Sequence, residues 1–170
     1  ERIGLKLTAI KMLVPSEEHI EKHYLLDPSW KENVGKKAIE SYEKKGETPP
    51  SSDPLEVGER VLENLKKYMT SGPVVAMVWQ GAHAVELVRK VTGSTEPRSS
   101  DVGTIRGDFV LDSYSMADTD GRAVRNILHA SGSPEEAEAE IGLWFEEGVT
   151  QYSLVQERIL YDVDLDGILE

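Results

Sequence analysis

The chain contains no cysteine, so disulfide frameworks, zinc clusters built on thiolates and thiol catalysis are excluded. A thiol-free composition is compatible with a reducing cytosol. No run of apolar residues reaches the roughly 18–20 needed to span a bilayer as a helix. The opening Glu1-Arg2-Ile3-Gly4 also lacks the charged, apolar and small-residue order of a signal peptide. These absences predict a soluble cytoplasmic protein with no membrane partner. Positive charge is in deficit as well: 19 Lys and Arg stand against 31 Asp and Glu, a formal net charge of −12. That balance argues against a generic nucleic-acid binder, whose affinity comes from neutralising phosphates. Internal repeats are absent, and 170 residues predict one domain spanning 1–170 with a single core of ordinary size.

What is present is organised by apolar spacing. Leu5, Leu7 and Ala9 alternate, and the phase changes at Ile10, Met12 and Val14, which predicts a strand buried on one face and then the other, or on both. Glu1 to Gly4 reads as the tail of a helix ended by glycine. Ser16 is placed to cap a helix over Glu17 to Tyr24, with Ile20 and Tyr24 on one face. Positions 27–53 are polar; Ala38, Ile39 and Tyr42 support a short helix, and 44–52 is a breaker-rich loop. The stretch reads as a surface insertion, either plain embellishment or a lid over a cleft. Asp53-Pro54-Leu55-Glu56 starts a further helix, on which Val57, Val61, Leu65 and Met69 form one buried stripe, ended by Gly72 as C-cap.

Val74 to Trp79 is a continuous apolar run between Pro73 and Gly81, predicting a strand covered on both faces. Ala82 to Val91 returns to helical spacing and stops at Gly93, while Ser94 to Val102 is loop and Asp108 to Leu111 reads as strand. Asp112 to Gly121 is an acidic, turn-forming second insertion, at about 112–122. Asp118, Asp120 and Gly121 have a faint calcium-loop look, but the liganding run and terminal Glu are missing, so calcium is not expected. Val155 to Tyr161 suits a final helix or strand, and 162–170 an acidic, loosely held tail.

The chemistry concentrates at Arg125-Asn126-Ile127-Leu128-His129-Ala130-Ser131. A histidine between an apolar pair and a small-residue turn is packed on one side and open on the other, which suits a nucleophile or a general base. Ser133 as N-cap, Pro134 at the first helical position and Glu136 completing a capping box start a helix just beyond it. Exposed N–H groups and the helix dipole favour a phosphate at such a place. That helix runs to Phe145 with Ala137, Ile141 and Trp144 as its core stripe, leaving Glu138 or Glu140 free to point back at the histidine.

Asn126 to Ser133, followed by Glu140-Ile141-Gly142-Leu143-Trp144-Phe145, resembles the active-site signature of nucleoside diphosphate kinases. Two further blocks match in the same order: Tyr68 to Trp79 with Gly81 behind it, and Gly103-Thr104-Ile105-Arg106-Gly107-Asp108-Phe109. The resemblance covers positions 3–26 and 62–161, interrupted at 112–122. It implies an α+β, ferredoxin-like fold, βαββαβ, with helices packed on an antiparallel sheet. The first strand and a phosphate-binding lysine that precede the family's first helix have no counterpart here, so the chain is expected to be N-terminally incomplete or to depart from the family, supplying the last three strands.

The resemblance implies that His129 attacks the terminal phosphate of a nucleoside triphosphate such as ATP, becomes phosphohistidine, and passes the phosphoryl group to a nucleoside diphosphate by ping-pong kinetics. Glu140 is implied to hydrogen-bond the other imidazole nitrogen and fix the tautomer, with Ser131 supporting it. Arg89, Thr95 and Arg106 are implied to hold nucleotide phosphates, as guanidinium forks do, although a cation at Arg89 is also explained by the helix C-terminus. Tyr24 matches a tyrosine near the phosphates, or serves as a half-buried packing tyrosine. Asn126 matches a ribose contact, and Leu65, with Val61 beside it, falls where the base is met by apolar contact. Mg2+ would arrive with the nucleotide and need few protein ligands. Family members are hexamers or tetramers built from dimers, which implies a homo-oligomer.

Ala130 stands where glycine is usual, and the base-contact position lacks the family's aromatic. Two other readings follow if the lysine is truly absent: a nucleotide-binding regulatory protein with weakened catalysis, or an assembly module that has kept the fold and lost the site.

Overall fold

The computed structural model describes residues 4–153. The element expected at 155–161 and the tail at 162–170 lie outside them. In chain order the elements are β1 (Lys6–Leu13), α1 (Glu17–Tyr24), α2 (Trp30–Lys45), α3 (Pro54–Met69), β2 (Val74–Gln80), α4 (Ala84–Thr92), a 3-10 turn (Pro97–Ser99), α5 (Ile105–Phe109), α6 (Tyr114–Asp120) and α7 (Pro134–Trp144). The architecture is α+β, and the chain divides into two compact units. A sheet unit holds residues 4–13, 75–91 and 130–153; a helical unit holds Val14–Val74 and Thr92–His129.

In the sheet unit β1 and β2 form a two-stranded antiparallel sheet. Its core is Leu5, Val78 and Phe145. Thr8 is buried; its hydroxyl donates to the Val78 carbonyl at 3.3 Å, and its own carbonyl accepts from Thr150 N–H at 2.9 Å. The expected phase change in β1 does not produce a second buried face, because Ile10, Met12 and Val14 are exposed. β2 likewise alternates, with Val75 and Met77 exposed and Val78 buried. An unbroken apolar run therefore does not distinguish a strand covered on both faces from one covered on a single face.

Gly93, at φ +88°, ends α4 as the sequence predicts. Ser133 caps α7 by accepting from Glu136 N–H, and Pro134 occupies the first turn. The Glu136 carboxylate reaches one residue further back than a capping box requires, to Gly132 N–H at 2.8 Å. The inner side of α7 is set by Glu140, with Phe145 buried at its C-cap, whereas Ala137, Ile141 and Trp144 are half-buried.

The helical unit is built on α1, α2 and α3, with Ile20, Val57, Leu62 and Ala117 in its core. Ser16 caps α1 as expected. Residues 27–53 are more than a short helix and loop, because α2 runs for 16 residues and ends at Gly46 in the left-handed conformation. α2 packs along α3 with backbone against backbone. A Cβ on Gly35 would stand 1.8 Å from the Pro54 carbonyl oxygen, and one on Gly58 would stand 2.1 Å from that of Lys31. A Lys31–Glu59 ion pair at 2.6 Å spans the same junction. On α3 the inner residues are Val57, Gly58 and Leu62, while Val61, Leu65 and Met69 are half-buried. Steps of four advance the helix by about 40° beyond a full turn, so such a row winds off the inner face. α3 ends at Met69 with Thr70 as its C-cap, and Gly72 does not take the left-handed backbone expected of a C-cap glycine.

The strand predicted at 108–111 is absent. Thr104 caps α5 by accepting from Gly107 N–H, and the Asp108 carboxylate accepts from Gly103 N–H at 2.8 Å. With local bonds favouring a helical turn and Leu111 left 93% exposed, no neighbour among the described residues recruits these apolar residues into a sheet. The acidic stretch after it is ordered as α6, capped by Ser113 and ended by Gly121 at φ +61°. Asp118 pairs with Lys45 at 2.6 Å and Asp120 with Arg122 at 2.9 Å. No helix among the described residues is long and apolar enough to cross a membrane.

Candidate active site

His129 is the last residue of the helical unit, and Ala130 opens the final stretch of the sheet unit. The implied site residues accordingly fall into two groups, each with its own geometry.

In the helical unit, His129 is exposed at the end of a tight turn. Ile127 sits at φ +55°, and Leu128 N–H donates to the Asn126 carbonyl across it at 2.8 Å. A three-residue turn of this hand is strained, the more so with a β-branched residue at its centre. The Tyr68 hydroxyl accepts from Ile127 N–H at 3.1 Å. Beside the turn Arg106, only 6% exposed, donates from Nε to the Asn126 carbonyl at 3.2 Å, from Nη1 to Gly93 at 3.0 Å and from Nη2 to Leu128 at 2.5 Å. One planar fork thus ties α5 to the end of α4 and to both sides of the turn. The Asn126 amide donates to the Thr95 carbonyl at 3.3 Å, and the Thr95 side chain is exposed.

The His129 ring meets the buried His23 ring edge-on, with centroids 4.7 Å apart at 87°. His23 in turn lies 4.9 Å from Tyr24, and Tyr24 lies 4.9 Å from Trp30. Tyr24 is half-buried in this row, its ring packed between His23 and Trp30. Leu65 and Val61 are half-buried on α3 of this unit.

In the sheet unit, the Ser131 hydroxyl donates to Glu140 Oε2 at 2.5 Å, and Glu140 is buried. A short hydrogen bond to a carboxylate is charge-assisted and sets the orientation of both partners. Arg89, exposed in the last turn of α4, donates from Nη1 to the Ala130 carbonyl at 3.3 Å. Ala130 has no positive φ, so alanine costs the backbone nothing where glycine is usual.

Sequence reasoning passed over His23, Trp30, Tyr68 and Asp112. His23 follows Ile20 by three residues, a spacing that places it on the same buried side of α1. Tyr68 stands in the same relation to Leu65. Asp112 carries no sequence signal. It is 4% exposed and accepts from Arg122 Nη1 at 2.7 Å, Arg125 N–H at 2.7 Å and Ser113 N–H at 2.9 Å. The Arg122 guanidinium holds its carboxyl at about 2 against an ordinary 3.8, with the two backbone donors adding to the effect and burial opposing it.

An α+β scaffold that presents an exposed histidine from a braced, strained turn, with the Arg106 guanidinium and the Asn126 amide beside that turn, has the parts that a phosphotransferase acting through histidine needs. A family model described as nucleoside diphosphate kinase matches residues 55–149. The chain is 47% identical over 151 residues to a nucleoside diphosphate kinase of Pyrobaculum aerophilum, an alignment covering 86% of this chain and 82% of that one. The crystal structure of an NDP kinase from the same organism superposes with a TM-score of 0.83 over 88% of this chain and 85% of the other. A transition state mimic of the Borrelia burgdorferi nucleoside-diphosphate kinase, with bound vanadate and ADP, superposes with a TM-score of 0.71 at 31% identity, covering 93% and 80%. The chain belongs to the nucleoside diphosphate kinase family.

Proposed function

We propose that the chain moves the γ-phosphate of a nucleoside triphosphate to a nucleoside diphosphate in two steps through phosphohistidine at His129. The observation that carries this reading is the exposure of the His129 imidazole at the end of the braced turn at Ile127. In the first step an imidazole nitrogen forms a bond to the γ-phosphorus, the bond to the bridging oxygen breaks, and that electron pair leaves with the diphosphate. The second step is the reverse on a different diphosphate. Arg89, Thr95 and Arg106 are assigned to the phosphates, Asn126 to the ribose, Leu65 to the base and Tyr24 to the phosphate end. Ser131 and Glu140 are assigned to orienting the nucleophile.

Mg2+ belongs to the substrate in this reading. The arginines among the candidate residues are cations that repel a metal ion, and Mg2+ takes few protein ligands where phosphate oxygens are at hand. The ferredoxin-like arrangement, one catalytic domain over 1–170, a homo-oligomer of hexameric or tetrameric type and a cytoplasmic location are parts of the same proposal, supported by the family resemblance.

The test is incubation with magnesium and γ-labelled ATP, followed by measurement of acid-labile, base-stable label on protein and its release by GDP. Label on His129 that GDP removes supports the reading. Nucleotide binding without label sinks it.

A further inference from the structure

The turn before His129 is held from several directions, and two of its anchors are not among the residues assigned above. Ile127 at φ +55° is in a backbone region that β-branched residues rarely adopt. Such a conformation persists only where the surroundings over-determine it. Its N–H is taken by the Tyr68 hydroxyl at 3.1 Å, from the last turn of α3. Two residues earlier, Arg125 N–H is taken by Asp112 Oδ2 at 2.7 Å. Asp112 is itself fixed by Arg122 at 2.7 and 3.2 Å and by Ser113 N–H at 2.9 Å. All of these groups lie in the helical unit with His129. Tyr68 opens one of the matching blocks, and Asp112 stands between two of them, within the residues 55–149 that the family model matches.

We propose that Tyr68 and Asp112 are positioning residues for phosphoryl transfer: together they fix the strained turn at Ile127 and thereby the bearing of the His129 imidazole. The inference rests on the reading of His129 as nucleophile. Neither residue touches a reacting atom. Without the Tyr68 oxygen, the Ile127 N–H loses the bond that offsets its strained backbone, and the peptide is free to relax toward negative φ. His129 is two residues on and swings with it. A displacement of about 1 Å at a reacting atom costs up to about a hundredfold in rate.

The experiment compares the full chain with its Tyr68→Phe and Asp112→Asn variants in rapid-quench labelling by γ-labelled ATP at saturating magnesium nucleotide. Nucleotide dissociation constants and melting temperatures are measured on the same preparations. Tyr68→Phe keeps the ring and removes only the accepting oxygen. Both variants are expected to bind nucleotide within about twofold of the parent and to label about five- to a hundredfold more slowly, so that kcat falls while KM does not rise. Labelling of Tyr68→Phe at the parent rate overturns the proposal, whatever happens to its melting temperature. Slower labelling explained by an equal loss of nucleotide affinity also overturns it, because the turn then serves binding through Asn126. Should Asp112→Asn fail to fold, Tyr68→Phe decides alone. Failure of the parent chain to label His129 is a separate result, seen before any variant is compared, and it removes the reading on which the inference stands.

Discussion

The Ser131 hydroxyl and the buried Glu140 carboxylate are joined by a hydrogen bond of 2.5 Å, closing the segment after His129 onto the inner side of α7. Neither partner is dispensable in a buried setting, because an acceptor stripped of its donor keeps its desolvation cost. Ser131→Ala is expected to lose about 1–3 kcal/mol of stability, measured as the shift of the urea midpoint. Ser131→Thr, which keeps the hydroxyl, is expected to hold most of it. An unchanged midpoint in Ser131→Ala shows that the bond contributes nothing net.

Asp112 supplies a pH prediction whose sign is fixed by its environment. Its folded value of about 2 lies below the ordinary 3.8, so the carboxylate's contribution is fully present above the ordinary value and is lost as pH falls through about 2. Urea midpoints of the parent and of Asp112→Asn should therefore differ by a constant amount from neutral pH down to about 5 and converge as the pH approaches 2. A gap that stays constant across that range contradicts the assignment.

Local chemistry made much of the chain readable, and tertiary chemistry made the rest unreadable. Ser16, Asp53 and Ser133 cap helices because a short polar side chain before an apolar repeat satisfies free N–H groups wherever it occurs. Ser131, Glu140 and Asn126 could be singled out because they stand inside motif blocks. The strand at 108–111 was misread because an apolar run becomes a strand only if a neighbour accepts it, and Thr104 and Asp108 close a helical turn first. Asp112 reads in the sequence only as the start of an acidic, turn-forming stretch, because nothing there places Arg122, Arg125 and Ser113 around it. His23 was missed for a different reason. Three residues from Ile20, it shares the buried side of α1 as Tyr24 does at four, but no motif block names it, whereas the likeness to the family also marks Tyr24.

The close approach of α2 and α3 predicts that small residues there are obligatory. With 1.8 Å between a Cβ on Gly35 and the Pro54 carbonyl oxygen, Gly35→Ala forces the helices apart at backbone level. It is expected to cost about 1–3 kcal/mol or more, read as a lowered melting temperature. Gly46→Ala, at φ +70° with open space around it, is expected to cost about 1 kcal/mol through backbone strain alone. Equal effects at the two sites argue against the observed packing of α2.

Arg106 offers the sharpest separation between holding the fold and holding a phosphate. Its fork reaches carbonyl oxygens at Gly93, Asn126 and Leu128, three places on the chain that a single ammonium cannot bond together. Arg106→Lys keeps the positive charge and loses the fork. If the guanidinium acts mainly as a tie, the variant should lose about 2–3 kcal/mol of stability, while nucleotide affinity stays close to the parent's. If it acts mainly on phosphate, lysine preserves the charge but not bidentate recognition, and affinity should fall tenfold or more, about 1.4 kcal/mol, with the urea midpoint little changed. The assignment of Arg106 to the phosphates leads us to expect the loss of affinity, with a loss of stability from the broken carbonyl bonds added to it. A loss confined to stability would leave Arg106 as a tie that stiffens the turn from which His129 projects, and would remove it from the phosphate contacts.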